Sequence, residues 1–209
     1  MTAILLGILL GLRHATDADH VIAVTAIVAR ERSLLRAARI GALWGAGHTI
    51  TLVLVGGTIV AFRLVIPPRV GLGLEFGVAL MLIALGYANL RPTKTPRPER
   101  SVARPILVGT VHGLAGSAAV ALLVLATIRD MVPAFIYLFV FGLGTIIGMV
   151  AVTVILAAPA LYAGTRIVRL QGGIRLAAGA LSIAFGLLLA RELIVDGGLF
   201  SATPIWNPH

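Results

Sequence analysis

The chain has 209 residues, 59% of them hydrophobic and 12% charged, with no cysteine, a formal charge of +9 and a mean hydropathy of +1.04. So few polar residues cannot cover a water-soluble domain of this size, which excludes one and points to a lipid-exposed exterior. The missing cysteine excludes disulfides, thiol redox chemistry and thiolate metal ligands, and the placement of the positive charge, taken up below, argues against a nucleic-acid partner.

A helix needs roughly 20 predominantly apolar residues to cross a bilayer, and six stretches qualify. The first, Ala3–Ala29, opens on an apolar run to Leu12 that lacks the basic flank and small-residue cleavage site of a secretion signal. It continues into Arg13-His14-Ala15-Thr16-Asp17-Ala18-Asp19-His20. Ionisable side chains inside a span cost about 2.5–3.5 kcal/mol each on insertion scales, so these five within eight positions must face protein, water or an ion. On a regular helix His14, Asp17 and His20 step by about 60° along one ridge, and Arg13 reaches Asp17 at i, i+4. Asp19 projects away from that ridge. A helix so widely polar is either enclosed by other spans or locally unwound.

The second span, Ile40–Phe62, carries His48 within Trp44-Gly45-Ala46-Gly47-His48-Thr49, where the glycines admit close approach of another backbone. The third is Leu72–Leu90, and the proline- and charge-rich segment Arg91–Arg104 follows as a linker. The fourth, Pro105–Ile128, holds His112 and Ser117 in Val111-His112-Gly113-Leu114-Ala115-Gly116-Ser117. Pro133–Ala157 and Ile174–Ile194 complete the set, and residues 195–209 form a tail in which Trp206 is expected at the outer interface. Glu75 and Glu192, near span ends, are expected to be solvated, and His209 to play no part.

These segments predict an all-α polytopic membrane protein of six transmembrane helices. A first three-helix half (1–90) and a second (105–194) would be joined by the linker 91–104. Identities at offsets near 98, among them Gly11/His14 with Gly109/His112, suggest a 3+3 inverted repeat. Arg30, Arg32, Arg36 and Arg39, then Arg91, Lys94, Arg97, Arg100 and Arg104, then Arg166, Arg169 and Arg175 gather on one side of such a topology. The positive-inside rule makes that side cytoplasmic and leaves both termini outside a multi-pass protein of the cell membrane.

Imidazole nitrogen with carboxylate oxygen suits borderline divalent ions such as nickel, cobalt and zinc, whereas calcium and magnesium prefer all-oxygen cages. His14, Asp17, Asp19, His20, His48 and His112 are therefore the candidate metal ligands, with Arg13, Gly47, Thr49 and Ser117 in support. The blander alternative is a buried salt-bridge network of Arg13 with Asp17 and Asp19, its histidines only hydrogen-bonding.

The block Arg13–His20 resembles the signature of the nickel/cobalt permeases, His-x4-Asp-His within a wider Arg-His-Ala-x-Asp-Ala-Asp-His. Gly47, His48 and Thr49 resemble that family's second signature. The likeness covers roughly the first 60 residues. The regions corresponding to the later signatures, His112–Ala119 and Gly142–Met149, carry none of the usual acidic residues, and the chain looks like the shorter, urease-accessory-like branch. The resemblance implies uptake of Ni²⁺ or Co²⁺ as cargo, with no resident cofactor. It also implies cytoplasmic metallochaperones, or urease or hydrogenase maturation proteins, as partners.

The expected function is thus secondary transport of a divalent transition metal across the cytoplasmic membrane, since no Gly-x4-Gly-Lys-Ser/Thr phosphate loop is present. A metal exporter is the nearest alternative, and the histidine-free linker 91–104 favours uptake. An intramembrane metalloenzyme would want a His-Glu-x-x-His motif or a general-base glutamate beside the cluster; neither is present, and no enzyme is expected. A membrane partner that delivers metal to a maturation complex is the third possibility.

Overall fold

The computed structural model describes residues 2–29, 31, 33–62, 64, 66–91, 101–114, 128, 130–166 and 168–206. Their regular structure is helical: α1 (Thr2–His14), α2 (Ala18–Val28), α3 (Leu34–Phe62), α4 (Pro68–Leu90), α5 (Ala103–Leu114), α6 (Met131–Arg166) and α7 (Val168–Val195).

Four of these are long and apolar enough to cross a membrane, through Leu34–Ile59, Pro68–Leu90, Met131–Pro159 and Gly172–Val195. The expectation of six spans in a 3+3 inverted repeat is therefore corrected to an all-α protein with four long apolar spanning helices among the described residues. The second, third, fifth and sixth expected segments match these four. The first, Ala3–Ala29, is broken into helices of 13 and 11 residues. At 1.5 Å per residue each reaches about 20 Å or less, short of a hydrocarbon core of about 30 Å. The fourth, 105–128, is represented by the 12-residue α5, and residues 115–127 lie outside the described part.

The break in the first segment has a local cause. Asp17 adopts an extended backbone (φ −60°, ψ 148°) at the head of α2 yet makes no capping hydrogen bond with its side chain. Its carboxylate instead accepts a bond from the His14 ring. The intervening backbone tightens into turns, with Thr16 N–H donating to Arg13 O (2.8 Å) and Asp17 N–H to His14 O (3.1 Å). Aspartate favours such non-helical positions because its short carboxylate competes for local donors.

The exterior is apolar, unlike that of a water-soluble protein, and a largely apolar core encloses a group of imidazoles. His20 and His112 are 0% exposed, His48 1% and His14 5%, whereas Leu54 and Ile155 on the long helices are 64% and 67% exposed. Apolar side chains outside and imidazoles inside fit a bilayer solvent. α3 packs along α6 and α5, α1 along α6, and α4 along α7. Gly11 lets α1 press against the Phe141 carbonyl and Thr145 N–H of α6, where any added Cβ would collide with backbone. Between α4 and α7 the buried Ser182 hydroxyl donates to Leu82 O (2.7 Å). Arg175 of α7 donates to the carbonyls of Asn89 (2.7 Å) and Arg91 (2.9 Å) at the end of α4. The Asn89 amide in turn donates to Ala26 O of α2.

The tail folds over the start of α4. Trp206 folds back on α4, its ring lying against Gly71 and its Nε1–H donating to Glu75 Oε1 (2.9 Å). Glu75 is buried rather than solvated, because the indole supplies the carboxylate with a donor. Glu192 is exposed.

Candidate metal centre

Four helices meet at the cluster, each contributing one histidine: His14 ends α1, His20 sits in the first turn of α2, His48 lies midway along α3, and His112 lies near the end of α5. The crossing of α3 and α5 is unusually close. A Cβ at Gly109 would strike the Trp44 carbonyl oxygen, and one at Gly47 the Ile106 carbonyl oxygen. Gly113 likewise rests 2.6 Å, from its virtual Cβ, to the His48 carbonyl oxygen. Only glycine permits this approach, and it brings the α5 backbone beside His112 close to that of His48.

The carboxylates orient two of the rings. His14 Nδ1–H donates to Asp17 Oδ2 (2.8 Å), and His20 Nδ1–H donates to Asp19 Oδ1 (2.9 Å). Each bond leaves the lone pair on Nε2, the tautomer that binds a metal, in the carboxylate–histidine arrangement common to metal centres. His14 Nε2 lies 3.1 Å from His48 Nε2. Two nitrogens bound to one ion at about 2.0–2.1 Å lie about 2.9 Å apart at a right angle and about 3.3 Å apart at the tetrahedral angle. The observed spacing falls between the two.

Ring centroids separate His14 from His20 by 4.6 Å, His20 from His112 by 4.6 Å and His20 from His48 by 5.5 Å. Donor atoms gather into two sets of three, His14/His20/His48 and Asp19/His20/His112, each within 4.8 Å. His20 Nε2, His48 Nδ1 and both nitrogens of His112 are buried with no hydrogen-bond partner. Elsewhere among the described residues the Trp44 Nε1 and the Tyr137 hydroxyl also lack a hydrogen-bond partner, whereas the hydroxyls of Thr51 and Thr145 are satisfied by carbonyls of their own helices (3.0 Å each). An unpaired buried polar group costs about 1–3 kcal/mol, and the cluster concentrates several such groups where a cation would engage them.

Of the residues singled out from sequence, His14, Asp19, His20, His48 and His112 come together. The Asp17 carboxylate pairs with His14 and lies outside both sets. Arg13 is exposed, and its expected ion pair with Asp17 does not form, because the helix breaks between them and the i, i+4 geometry is lost. Gly47 serves the α3–α5 crossing. Thr49 Oγ1–H donates to Gly142 O of α6 (3.1 Å) and packs helices rather than facing the cluster. Ser117 lies outside the described residues. His112 faces His20, their ring centroids 4.6 Å apart.

Two aromatic walls carry no mark in the sequence beyond their position. Trp44 stacks on His20 (6.1 Å, 11°) and tilts over His112 (5.2 Å), while Phe141 covers His14 (5.5 Å). Trp44 precedes His48 by four residues and so shares its face of α3, the one signal that could have found it.

No protein-family model matches the chain, and no solved structure matches it. The chain is 33% identical over 218 aligned positions to the urease accessory protein UreH of Bacillus sp. (strain TB-90), a match that covers 96% of this chain and 95% of that protein. With its long apolar helices and buried histidine–aspartate cluster, this multi-pass membrane protein belongs to the family of the urease accessory protein UreH.

Proposed function

We propose that the protein is a non-enzymatic permease that moves Ni²⁺ or Co²⁺ into the cytoplasm without ATP. The observation that carries this reading is the placement of four buried imidazoles on four converging helix segments inside a membrane protein, several of their nitrogens unpartnered. Nitrogen donors with one carboxylate, and no thiolate, favour borderline ions over calcium or magnesium. An inward divalent ion gains about 4.6 kcal/mol per 100 mV of membrane potential, twice the single-charge value. That drive makes uptake possible without a nucleotide site.

The basic imbalance across individual helices supports an orientation. Arg30, Arg32, Arg36 and Arg39 flank the start of α3 against Arg63 at its end. Arg166, Arg169 and Arg175 flank the start of α7 against Arg191 near its end. The starts of both helices then face the cytoplasm and the tail 196–206 faces outward. A cysteine at position 201 should react with an impermeant thiol reagent on intact cells. The name of the relative, a urease accessory protein, supports nickel delivery toward urease maturation proteins as the downstream use.

Flux of radiolabelled Ni²⁺ and Co²⁺ into proteoliposomes holding only this chain tests the proposal, with Zn²⁺ and Mn²⁺ as competitors. Uptake is expected, reduced at least tenfold in His20→Ala. Tight binding without flux would instead favour a delivery partner, and neither binding nor flux would end the metal reading.

A further inference from the structure

Two apolar cores of unequal size flank the histidine cluster, and helix contacts fix the side on which each lies. Gly57 of α3 meets Phe135 of α6, Thr49 meets Gly142 and Gly41 meets Met149, so α3 and α6 run antiparallel. α1 runs parallel to α6, with Gly7 against Val140 and Gly11 against Thr145. Toward the start of α6 lies a small core of Leu52, Ala134, Tyr137, Leu138 and Phe141, with Leu10 packed against it. Toward the start of α3 lies a larger one that includes Trp44 and Met149. Among the described residues the first holds five buried side chains and the second fifteen, so the seal on the α6-start side is the thinner. With the start of α3 facing the cytoplasm, that side is the outer one.

The small core meets the cluster through the Phe141 ring, whose centroid lies 5.5 Å from that of His14. Tyr137 stands one helical turn, about 6 Å, further out on the same face of α6, its ring 6.4 Å from that of Phe141. Tyr137 is 1% exposed, and its hydroxyl has no hydrogen-bond partner. A buried hydroxyl in that state is unfavourable until water or another partner reaches it. The backbone beneath the rings is pinned, because the Phe141 carbonyl accepts the Thr145 hydroxyl (3.0 Å) and abuts Gly11 of α1.

On the orientation and transport reading given above, we propose that Phe141 and Tyr137 form the outer gate of the cluster, the point through which a divalent cation enters from outside. Burial of the two rings holds the gate shut. The stranded Tyr137 hydroxyl works against closure, since rotation of the rings lets water, or the hydration shell of an arriving cation, engage that oxygen. The pinned backbone makes the rings the moving part, while α1 and α6 stay packed. Neither residue is a ligand of the bound ion. A gate sets how fast an ion reaches the donors and not how tightly they hold it, so its variants change entry and exit rates together.

The test follows Co²⁺ binding and release by stopped-flow absorption in the purified full-length protein in detergent, with equilibrium titration and Co²⁺ flux in proteoliposomes alongside. Phe141→Ala removes the ring that seals the cluster and should raise both rates at least about tenfold. Tyr137→Phe relieves the shut state of its stranded hydroxyl and should lower both rates about tenfold. Affinity should stay within about threefold of wild type in each, with an unchanged Co²⁺ spectrum. Met149→Ala is an equally buried truncation on the same helix in the larger core and should leave the rates alone. Phe141→Leu repeats the measurement should the alanine variant fail to fold, which gel filtration reports. Unchanged rates in both gate variants would overturn the gate, as would an equal acceleration in Met149→Ala, the mark of general loosening. A changed spectrum with matching loss of affinity would overturn it too, by making the residues part of the ion site. Flux by the wild type would leave the transport reading standing in all three cases. Opposite rate changes in a protein that shows no flux would keep the gate as the entrance to a binding site and end the transport reading alone.

Discussion

Asp17→Asn separates an orienting carboxylate from a metal ligand. Asp17 accepts one bond from His14 Nδ1–H at 2.8 Å, its side chain is 40% exposed, and it belongs to neither donor triad. A hydrogen bond to a charged group contributes about 1.5–3 kcal/mol, and partial exposure places this one at the low end through solvent screening. Asparagine keeps an acceptor oxygen in place and loses the charge, so about 1–1.5 kcal/mol of ring orientation and basicity is removed. That corresponds to about a tenfold loss of metal affinity, at the lower edge of the range of about 10–100-fold for carboxylates behind ligating histidines. Isothermal titration with Co²⁺ measures the loss, and the absorption spectrum of the bound ion should not change. Because Arg13 does not pair with Asp17, the substitution strands no cation, and any loss of thermal stability should not exceed the about 1–1.5 kcal/mol of the weakened bond. A loss beyond about a thousandfold, or an altered Co²⁺ spectrum, would make Asp17 a direct ligand and refute the reasoning.

Gly109→Ala places a Cβ against the Trp44 backbone and should destabilise by about 1–3 kcal/mol, seen as a lower midpoint in thermal gel filtration; Gly73→Ala, with nothing within 4 Å, should leave that midpoint unchanged. Metal affinity should fall as pH drops, because protons and metal compete for the same neutral nitrogens; a pH series of Ni²⁺ flux under a constant membrane potential checks this. Trp206→Ala removes the donor to Glu75 and should lower the thermal midpoint by the equivalent of about 1.5–3 kcal/mol while leaving Co²⁺ affinity intact.

The histidine–aspartate cluster was legible because ionisable side chains in apolar sequence have few harmless explanations: His14, Asp19 and His20 stood out on that ground, and His48 and His112 through their relation to that first block. The four long helices were legible for the complementary reason, since about 20 apolar residues in a row have one dominant use. The division of the first segment was legible only as one of two readings of its polar block, local unwinding or enclosure by other spans. The break depends on Asp17 turning to His14 rather than capping α2. The repeat rested on small identical residues, Gly11 with Gly109 among them. In the structure Gly11 meets the Phe141 carbonyl and Gly109 the Trp44 carbonyl: both are close-packing positions, which membrane helices call for wherever they cross. The seating of Trp206 on Glu75 joins residues far apart in the chain and leaves no local pattern to read.

The break at residues 15–17 gives the two halves of the first segment different anchors. α1 lies along α6 through Gly11, while the far end of α2 is tied to α4 by the Asn89 amide and, through Arg175, to α7. α2 also packs on α6, so His20 is held by both α6 and the α4–α7 pair, while His14 lies at the end of a helix held by α6. Sliding of α6 past the α4–α7 pair that displaces α2 would change the distance between these two rings. Thermodynamic reciprocity then requires that an ion gripping both rings resist that sliding by the same free energy with which the sliding would weaken its own hold.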